Sequence, residues 1–179
     1  MRYKNFTNEI VFQKYKVKKI LATTKFSNVY EGINIIKNTP VALKIEKDNH
    51  LKSLESEAYL LIYLKGFGIP KIISYGKSGN YNILIEELLG QSLEALWKKH
   101  GYKEDPFVNK NKIIKDVCLI AIQSLERLKN IHNKNVIHRD IKSDNFVIGR
   151  NDPKNIYLID YGFSRKFRSS RTGKHIKYE

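Results

Sequence analysis

The sequence is poor in residues that brace a fold covalently. It contains one cysteine, Cys118, and four prolines among 179 residues. A single cysteine excludes an internal disulfide framework and fits a reducing compartment. Because Cys118 lies among apolar residues at helical spacing, we expect it to be a small buried side chain of a helix.

Long apolar runs are also lacking. No uninterrupted apolar stretch reaches the roughly 18–20 residues that cross a bilayer. The first nine residues contain no apolar core, so we expect neither a membrane span nor a secretory signal. With a hydrophobic fraction of 41% and a mean hydropathy of −0.46, the composition indicates a soluble globular protein of the cytoplasm or nucleus.

Acidic residues are scarce beside basic ones. The chain has 18 acidic and 33 basic side chains, which gives a formal net charge of +15. A positive field attracts phosphate-rich partners. However, the lysines are scattered through nearly every segment, and no nucleic-acid-binding module or aromatic stacking platform accompanies them. We therefore expect that the positive charge reflects a general bias in composition, and we expect no nucleic-acid partner.

The alternation of apolar, polar and turn residues predicts an α+β fold. Five segments alternate or are β-branched and predict antiparallel strands: 15–20, 29–36, 40–46, 72–76 and 81–86. Residues 51–64 have helical spacing and predict a helix after the third strand. Further helices are predicted after Ser92, a candidate cap, and over about 112–133, before a short hairpin near 146–159.

Residues 138–145 read His-Arg-Asp-Ile-Lys-Ser-Asp-Asn and place three chemically distinct groups in one loop. Asp140 is a candidate base, and Lys142 can neutralise a transferring phosphoryl group. Asn145 and Asp160, which ends a later apolar run, are hard oxygen ligands of the kind that Mg²⁺ prefers. A loose, charge-spread phosphoryl-transfer transition state requires mainly positioning and countercharge, and these residues supply both.

Lys44 ends the buried-looking strand Val-Ala-Leu-Lys. An ammonium group in such a position needs a partner. Glu57 is the preferred partner because it follows Leu54 by three residues on the inward side of the predicted helix. Glu55 is the alternative.

These motifs, in this order and spacing, resemble those of protein kinases. Residues 68–70, 81–94, 137–149 and 171–178 are similar to segments of the casein kinase 1 family, with Ser143 in place of the usual proline. The resemblance extends from about Tyr15 onward. It implies a bilobal fold. Residues 1–89 would form an ATP-binding lobe with a five-stranded sheet and helix C, and residues 90–179 a partial, mainly helical lobe with the catalytic loop.

The resemblance also implies an activity: transfer of the γ-phosphate of ATP, with Mg²⁺, to serine or threonine of acidic or already phosphorylated proteins. Asp140, Lys142 and Lys44 would be catalytic, and Asn145 and Asp160 would hold the metal. The implied nucleotide contacts are Ala22, Thr24, Ser27, Val29, Ala42, Lys44, Glu57, Asn145 and the backbones of Glu87 and Leu89. His138 would pack under the loop, and Arg139 would anchor Asp140.

Three features depart from the family pattern. Ala22, Thr24 and Ser27 stand where phosphate-loop glycines are usual, which weakens the backbone cradle for phosphates. Glu86 replaces an apolar residue before the hinge and would compete with Glu57 for Lys44. The chain ends at Glu179, early in the activation segment, so we expect the apolar undersides of 119–128 and 137–141 to face water, or a partner to complete the lobe. These departures support the alternative of a pseudokinase-like scaffold or inactive kinase fragment that acts through protein interaction.

A dense basic cluster follows Asp160. It comprises Arg165, Lys166, Arg168, Arg171, Lys174 and Lys177. Guanidinium groups suit bidentate contacts with phosphate, so the cluster predicts binding of an anionic or phosphorylated peptide. The alternative is a solvated, partly disordered basic tail.

Overall fold

The computed structural model describes residues 4–24, 27–48, 53–100, 110–169 and 171–177. The chain divides into two compact units. The first comprises Met1–Tyr63 and Pro70–Leu88, and the second comprises Leu64–Ile69 and Leu89–Glu179. Within the described ranges, no helix has both the length and the apolar character that a membrane crossing requires.

Among its described residues, the first unit consists of an antiparallel sheet and one helix, α1 (Ser53–Leu64). The described strands of the sheet lie in the order β1-β2-β3-β4-β6-β5. Their bounds are β1 Ile10–Val11, β2 Tyr15–Thr23, β3 Ser27–Asn34, β4 Thr39–Lys47, β5 Ile72–Ser78 and β6 Tyr81–Glu87. The predicted α+β character is confirmed, but the sheet has six described strands instead of five. The additional strand β1 pairs with β2, and its two residues are too few to show alternation in the sequence.

Strand β4 directs its side chains to two different environments. Val41, Leu43 and Ile45 belong to the hydrophobic core, together with Ile83 and Ile85 of β6. Successive residues of a strand point to opposite faces, so Ala42, Lys44 and Glu46 share the other face. The middle of the strand, Val41–Glu46, is buried or half-buried on both faces, so the charged side chains of Lys44 and Glu46 lie inside the unit.

The second unit contains two helices, α2 (Leu93–His100) and α3 (Lys110–Asn133), among its described residues. Strand β7 (Val136–Ile137) pairs with β10 (Arg165–Lys166), and β8 (Phe146–Ile148) pairs with β9 (Ile156–Leu158). The Oγ atom of Ser92 accepts a hydrogen bond from the backbone N–H of Ala95 at 3.1 Å, which confirms the predicted helix cap.

A buried arginine joins three parts of this unit. Arg127 of α3 is 1% exposed, and its Nε donates to the carbonyl of Ile156 at 2.9 Å. Its guanidinium carbon lies 4.3 Å from the ring centroid of Phe67. The carbonyl of the adjacent Gly68 accepts the N–H of Leu158 at 2.9 Å. The loop at 66–69 is thus attached to both α3 and β9.

Much of helix α3 is exposed. Cys118 lies on the surface, so the prediction that it is buried is wrong. Leu119, Ile122 and Leu125 are 49%, 54% and 65% exposed, and Ile141 is 49% exposed, as expected for the undersides of these segments. The burial of α3 comes from its second half, which packs on β7 and β9 through residues such as Arg127. A partner that covers the rest stays a prediction.

Candidate active site

Two strand pairs position the loop that contains Asp140. The loop leaves β7, which is paired with β10, and enters a 3₁₀ turn at Ser143–Asn145 that leads into β8. The N–H of Ile159 donates to the carbonyl of Asn145 at 2.9 Å. This bond brings Asn145 next to the segment that carries Asp160.

His138 supports the loop from beneath. Its side chain is 2% exposed, and its ring contacts Tyr161 edge to face at 5.0 Å. Nε2 lies 2.9 Å from the carbonyl of Ile159, while the N–H of Asp140 points to Nδ1 at 3.3 Å. A carbonyl can only accept and an N–H can only donate, so the ring is neutral with its proton on Nε2. Burial lowers the pKa of His138, which agrees with this neutral state.

Asp140 is held by two residues of its own loop. Lys142 Nζ donates to Oδ2 at 2.7 Å, and Asn145 Nδ2 donates to the same oxygen at 2.9 Å and to the backbone carbonyl at 2.8 Å. The hydrogen bond from Lys142 is the main cause that lowers the pKa of Asp140. The carboxylate is therefore ionised and oriented at neutral pH.

Arg139 does not anchor Asp140, so that expectation is wrong. Its backbone has a left-handed φ of +68°, and its Nε donates to the carbonyl of Phe163. Arg139 instead connects the loop to the 3₁₀ turn Tyr161–Phe163.

Asn145 and Asp160 offer a donor set that fits Mg²⁺. The amide nitrogen of Asn145 is engaged with Asp140, which leaves Oδ1 as its ligand atom. Asp160 adopts a left-handed φ of +65° where β9 has ended and the next turn begins. One amide oxygen and one carboxylate are hard ligands. Magnesium sites in phosphotransferases combine such a small protein set with water and phosphate oxygens.

The first unit contains the ion pair predicted for Lys44. Its Nζ lies 2.7 Å from Oε2 of Glu57, with the two side chains only 13% and 3% exposed. Glu55, the alternative partner, is exposed on the helix surface. Glu86 pairs across the sheet with Ala42, on the face that also bears Lys44.

Hydroxyl groups of Thr24 and Ser27 close the segment between β2 and β3, at positions where the resemblance implied glycines. Oγ1 of Thr24 accepts the N–H of Ser27 at 3.0 Å, and the N–H of Thr24 donates to the carbonyl of Ser27 at 2.9 Å. Ala22 lies opposite Val29 in the register of the two strands. Lys25 and Phe26 lie outside the described residues. Sequence reasoning missed this closure, although serine and threonine at both ends of a turn are a recognised signal.

Ser143 connects the loop to helix α2. Its Oγ donates to Oε2 of Glu94 at 2.6 Å, and Glu94 also forms an ion pair with Lys98 at 3.1 Å. The hydrogen bond from Ser143 is the first cause that lowers the pKa of Glu94. The hydroxyl thus tethers the 3₁₀ turn to helix α2.

The basic cluster forms a folded hairpin in its described part. The N–H of Ser169 donates to the carbonyl of Lys174 at 3.0 Å, and the N–H of Ile176 donates to the carbonyl of Phe167 at 2.8 Å. The side chains of Arg168 and Arg171 are exposed. The basic groups therefore project from a segment whose described backbone is hydrogen-bonded as a hairpin.

The geometry agrees with a comparison between this chain and known families. A family model described as the protein kinase domain matches residues 15–178. Because the match spans most of the 179 residues, the chain belongs to the protein kinase domain family. Kinase domains of this family act on protein substrates and generally use ATP and Mg²⁺.

The buried, neutral His138 makes the stability of the chain dependent on pH. An unfolded histidine binds a proton near pH 6.5, whereas the folded pKa is lower. Below pH 6.5 the unfolded state therefore holds more protons, and stability falls as the pH drops toward the folded pKa, by up to about 1.4 kcal/mol per pH unit. Urea unfolding at pH 7.5 and 5.5 should show a larger loss for the unmodified chain than for His138→Gln.

A matched control is His132→Gln, which changes an exposed histidine at the end of α3. This variant should lose as much stability on acidification as the unmodified chain. If His138→Gln also keeps the full pH dependence, His138 is not the group that titrates.

Proposed function

We propose that the chain is an ATP- and Mg²⁺-dependent Ser/Thr protein kinase of the casein kinase 1 type. The observation that carries the proposal is the orientation of Asp140 by Lys142 and Asn145, within one loop of a kinase-family chain. The position of Lys142, two residues after the proposed base, resembles the arrangement in Ser/Thr kinases. A single exposed cysteine is compatible with an intracellular location in the cytoplasm or nucleus, which is part of the proposal.

The polar side chains described above in each unit have separate roles in this proposal. Asp140 accepts the proton of the substrate hydroxyl while the hydroxyl oxygen forms its bond to the γ-phosphorus of ATP, and the bond from that phosphorus to the bridging oxygen breaks to release ADP. Lys142 compensates the charge on the group in transfer, and Lys44, oriented by Glu57, holds the α- and β-phosphates. Asn145 and Asp160 hold the metal. Mg²⁺-ATP, when bound, supplies the phosphoryl group and reduces its negative charge.

The nucleotide contacts beyond Lys44 are also proposals. Residues 1–89 are assigned to the ATP-binding lobe and residues 90–179 to the lobe of the catalytic loop. The N–H of Glu87 donates to the carbonyl of Lys71 at 3.0 Å, so its own carbonyl is the backbone group assigned to adenine, with the N–H of Leu89 as the second. Ala42 shares the face of Lys44, which supports a contact with the nucleotide.

Nucleotide binding should be weak and dependent on Mg²⁺. Weakness is expected because the N–H groups of Thr24 and Ser27 are already bonded within their turn. At ten times the Kd, mass action stabilises the folded chain by about 1.4 kcal/mol. Thermal melting with ATP, with and without Mg²⁺, should show a stabilisation that requires the metal and disappears in Lys44→Met.

The control for this measurement is Lys47→Met, which removes an exposed lysine from the same strand. It should bind nucleotide as the unmodified chain does. A large stabilisation by ATP without Mg²⁺ would contradict the roles of Asn145 and Asp160. No stabilisation at any concentration would favour the pseudokinase-like scaffold.

We also propose that the hairpin of the basic cluster selects acidic or phosphorylated substrates. Three exposed arginines, Arg165, Arg168 and Arg171, follow the proposed metal ligand Asp160 along the chain. Each charge-assisted contact with phosphate contributes enough to change an affinity by about tenfold. Replacing all three with glutamine should abolish a preference for a phosphopeptide over its unphosphorylated twin, measured by fluorescence anisotropy.

A control variant loses three positive charges from another part of the chain. It distinguishes a local binding site from general attraction by the net positive charge. Lys16, Lys18 and Lys37 are exposed on the first unit, and their replacement by glutamine should leave the preference in place. Equal affinity of the unmodified chain for both peptides would mean that the cluster is only a solvated basic segment.

A further inference from the structure

The carboxylate of Glu46 is buried, and none of the roles assigned above uses it. Glu46 lies on β4 and is 2% exposed. Its Oε2 accepts a hydrogen bond from the backbone N–H of Leu54 at 3.1 Å, in the first turn of α1. The first N–H groups of a helix have no partner within the helix, and the helix dipole favours negative charge there. Glu46 therefore stabilises the beginning of α1.

A second contact joins the same strand to the same helix. Lys44 precedes Glu46 by two residues and lies on the same face of β4. Glu57 follows Leu54 by three residues and lies on the same side of α1. The two contacts are Lys44 with Glu57 at 2.7 Å and Glu46 with Leu54 at 3.1 Å. They are separated by two residues along β4 and by three residues along α1.

Two such contacts constrain a helix more than one does. A single ion pair fixes a distance but lets the helix rotate or slide about that point. A second bond at a different position along both elements sets its translation and rotation. Because the N–H of Leu54 belongs to the backbone, the bond to Glu46 sets the position of the helix itself.

We propose that Glu46 is a positioning residue that sets α1 on β4, so that the carboxylate of Glu57 reaches Lys44. Glu46 acts through Glu57 and touches no reacting group. The inference rests on the proposed role of Lys44 in binding phosphates for its functional meaning. The dependence of the Lys44–Glu57 pair on Glu46 can be measured without nucleotide.

The experiment compares the full chain with Glu46→Ala, Glu46→Gln and Glu57→Ala. The acetylation rate of Lys44, read by peptide mass spectrometry, reports how well its amine is sequestered by Glu57. Hydrogen exchange of the Leu54 amide reports the bond to Glu46. Glu46→Ala should raise both rates by about tenfold, a change typical for the loss of one charge-assisted hydrogen bond.

Conservative and control variants separate positioning from general damage. Glu46→Gln keeps an acceptor oxygen for Leu54, so both rates should stay within about threefold of the unmodified chain. Glu31→Ala removes a partly buried carboxylate of β3, which pairs with Lys19 at 3.4 Å on the neighbouring strand. It should leave both rates unchanged.

The double variant decides whether Glu46 acts through Glu57. If it does, adding Glu46→Ala to Glu57→Ala changes the acetylation rate of Lys44 by less than about twofold. If the double variant instead raises the acetylation rate of Lys44 by the product of the two single effects, the proposal is overturned. A folded Glu46→Ala chain in which Leu54 exchanges faster while Lys44 reacts as before would also overturn it.

A Glu46→Ala chain that does not fold is replaced by Glu46→Asp. Aspartate keeps the charge but is one methylene shorter, so it should lose the bond to Leu54 and raise the acetylation rate of Lys44. An unchanged rate with faster Leu54 exchange contradicts the proposal in this variant too. Failure of the unmodified chain to bind ATP would contradict the proposed function, whereas the labelling result still decides the role of Glu46.

Discussion

Replacing Asp140 with asparagine is expected to lower the rate of phosphoryl transfer by about 10²–10⁴-fold while nucleotide binding remains nearly unchanged. The amide has the shape of the carboxylate and can still accept the hydrogen bond that Lys142 donates at 2.7 Å. It cannot take up the proton of the substrate hydroxyl. General base catalysis contributes about 10²–10⁴-fold, so turnover should fall by that factor while the Kd for Mg²⁺-ATP changes by less than about threefold.

The measurement is single-turnover transfer from labelled ATP to a serine peptide, with binding followed separately by calorimetry. Asp144→Asn makes the same chemical change in the same loop, at an exposed position, and should retain turnover. Turnover by Asp140→Asn within a few-fold of the unmodified chain would show that Asp140 is not the base. Binding without any transfer by the unmodified chain would favour a scaffold.

Replacing Gly68 with alanine should cause the largest loss of stability among the substitutions considered. The added Cβ would overlap Nε and Cδ of Arg127, and the backbone has a left-handed φ of +75°. A left-handed residue with a side chain costs about 1–2 kcal/mol. Displacing Arg127 breaks its bond to Ile156 inside the unit and costs about 1–3 kcal/mol more. The free energy of unfolding should therefore fall by about 2–5 kcal/mol, a large part of a typical total.

Gly79→Ala is the matched control for this prediction. Gly79 also has a left-handed φ, +56°, but an added Cβ would meet nothing within 4 Å. This variant should lose only the backbone contribution, about 1–2 kcal/mol. The measurement is urea unfolding of both variants, in which an unchanged m-value means that the shift in midpoint reports a change in stability. Equal losses at both positions would mean that Arg127 moves aside without cost, and that its buried contacts contribute little to stability.

The local elements were largely predictable because they depend on residue periodicity. The alternation in β2 to β6 and the helical spacing of α1 are short-range patterns, and each element lies within a few residues of its predicted bounds. The partner of Lys44 was predictable for the same reason, since the spacing from Leu54 put Glu57 on the inward side of the helix. Strand β1 was not predicted, because it exists only through pairing with β2.

Burial was less predictable than secondary structure. The apolar spacing around Cys118 shows which side chains share one face of α3, but not whether another element covers that face. In the described structure that face is exposed. Conversely, arginine is a residue type that is usually exposed, but Arg127 is nearly fully buried. Its guanidinium group contacts Ile156, Phe67 and Gln123.

The sequence by itself determined the types of chemical groups and their order along the chain: a paired lysine, a loop with a base and a cation, two hard oxygen ligands, and a basic cluster. Apart from the Lys44–Glu57 pair, tertiary structure decided which of them meet. Arg139 contacts Phe163 instead of Asp140, the hydroxyls of Thr24 and Ser27 close their turn, and Glu46 reaches the start of α1. The physical reason is that a hydrogen bond requires two groups within about 3 Å in a suitable direction. Strand register, helix placement and left-handed backbone angles set those distances, and none of the three follows from residue spacing alone.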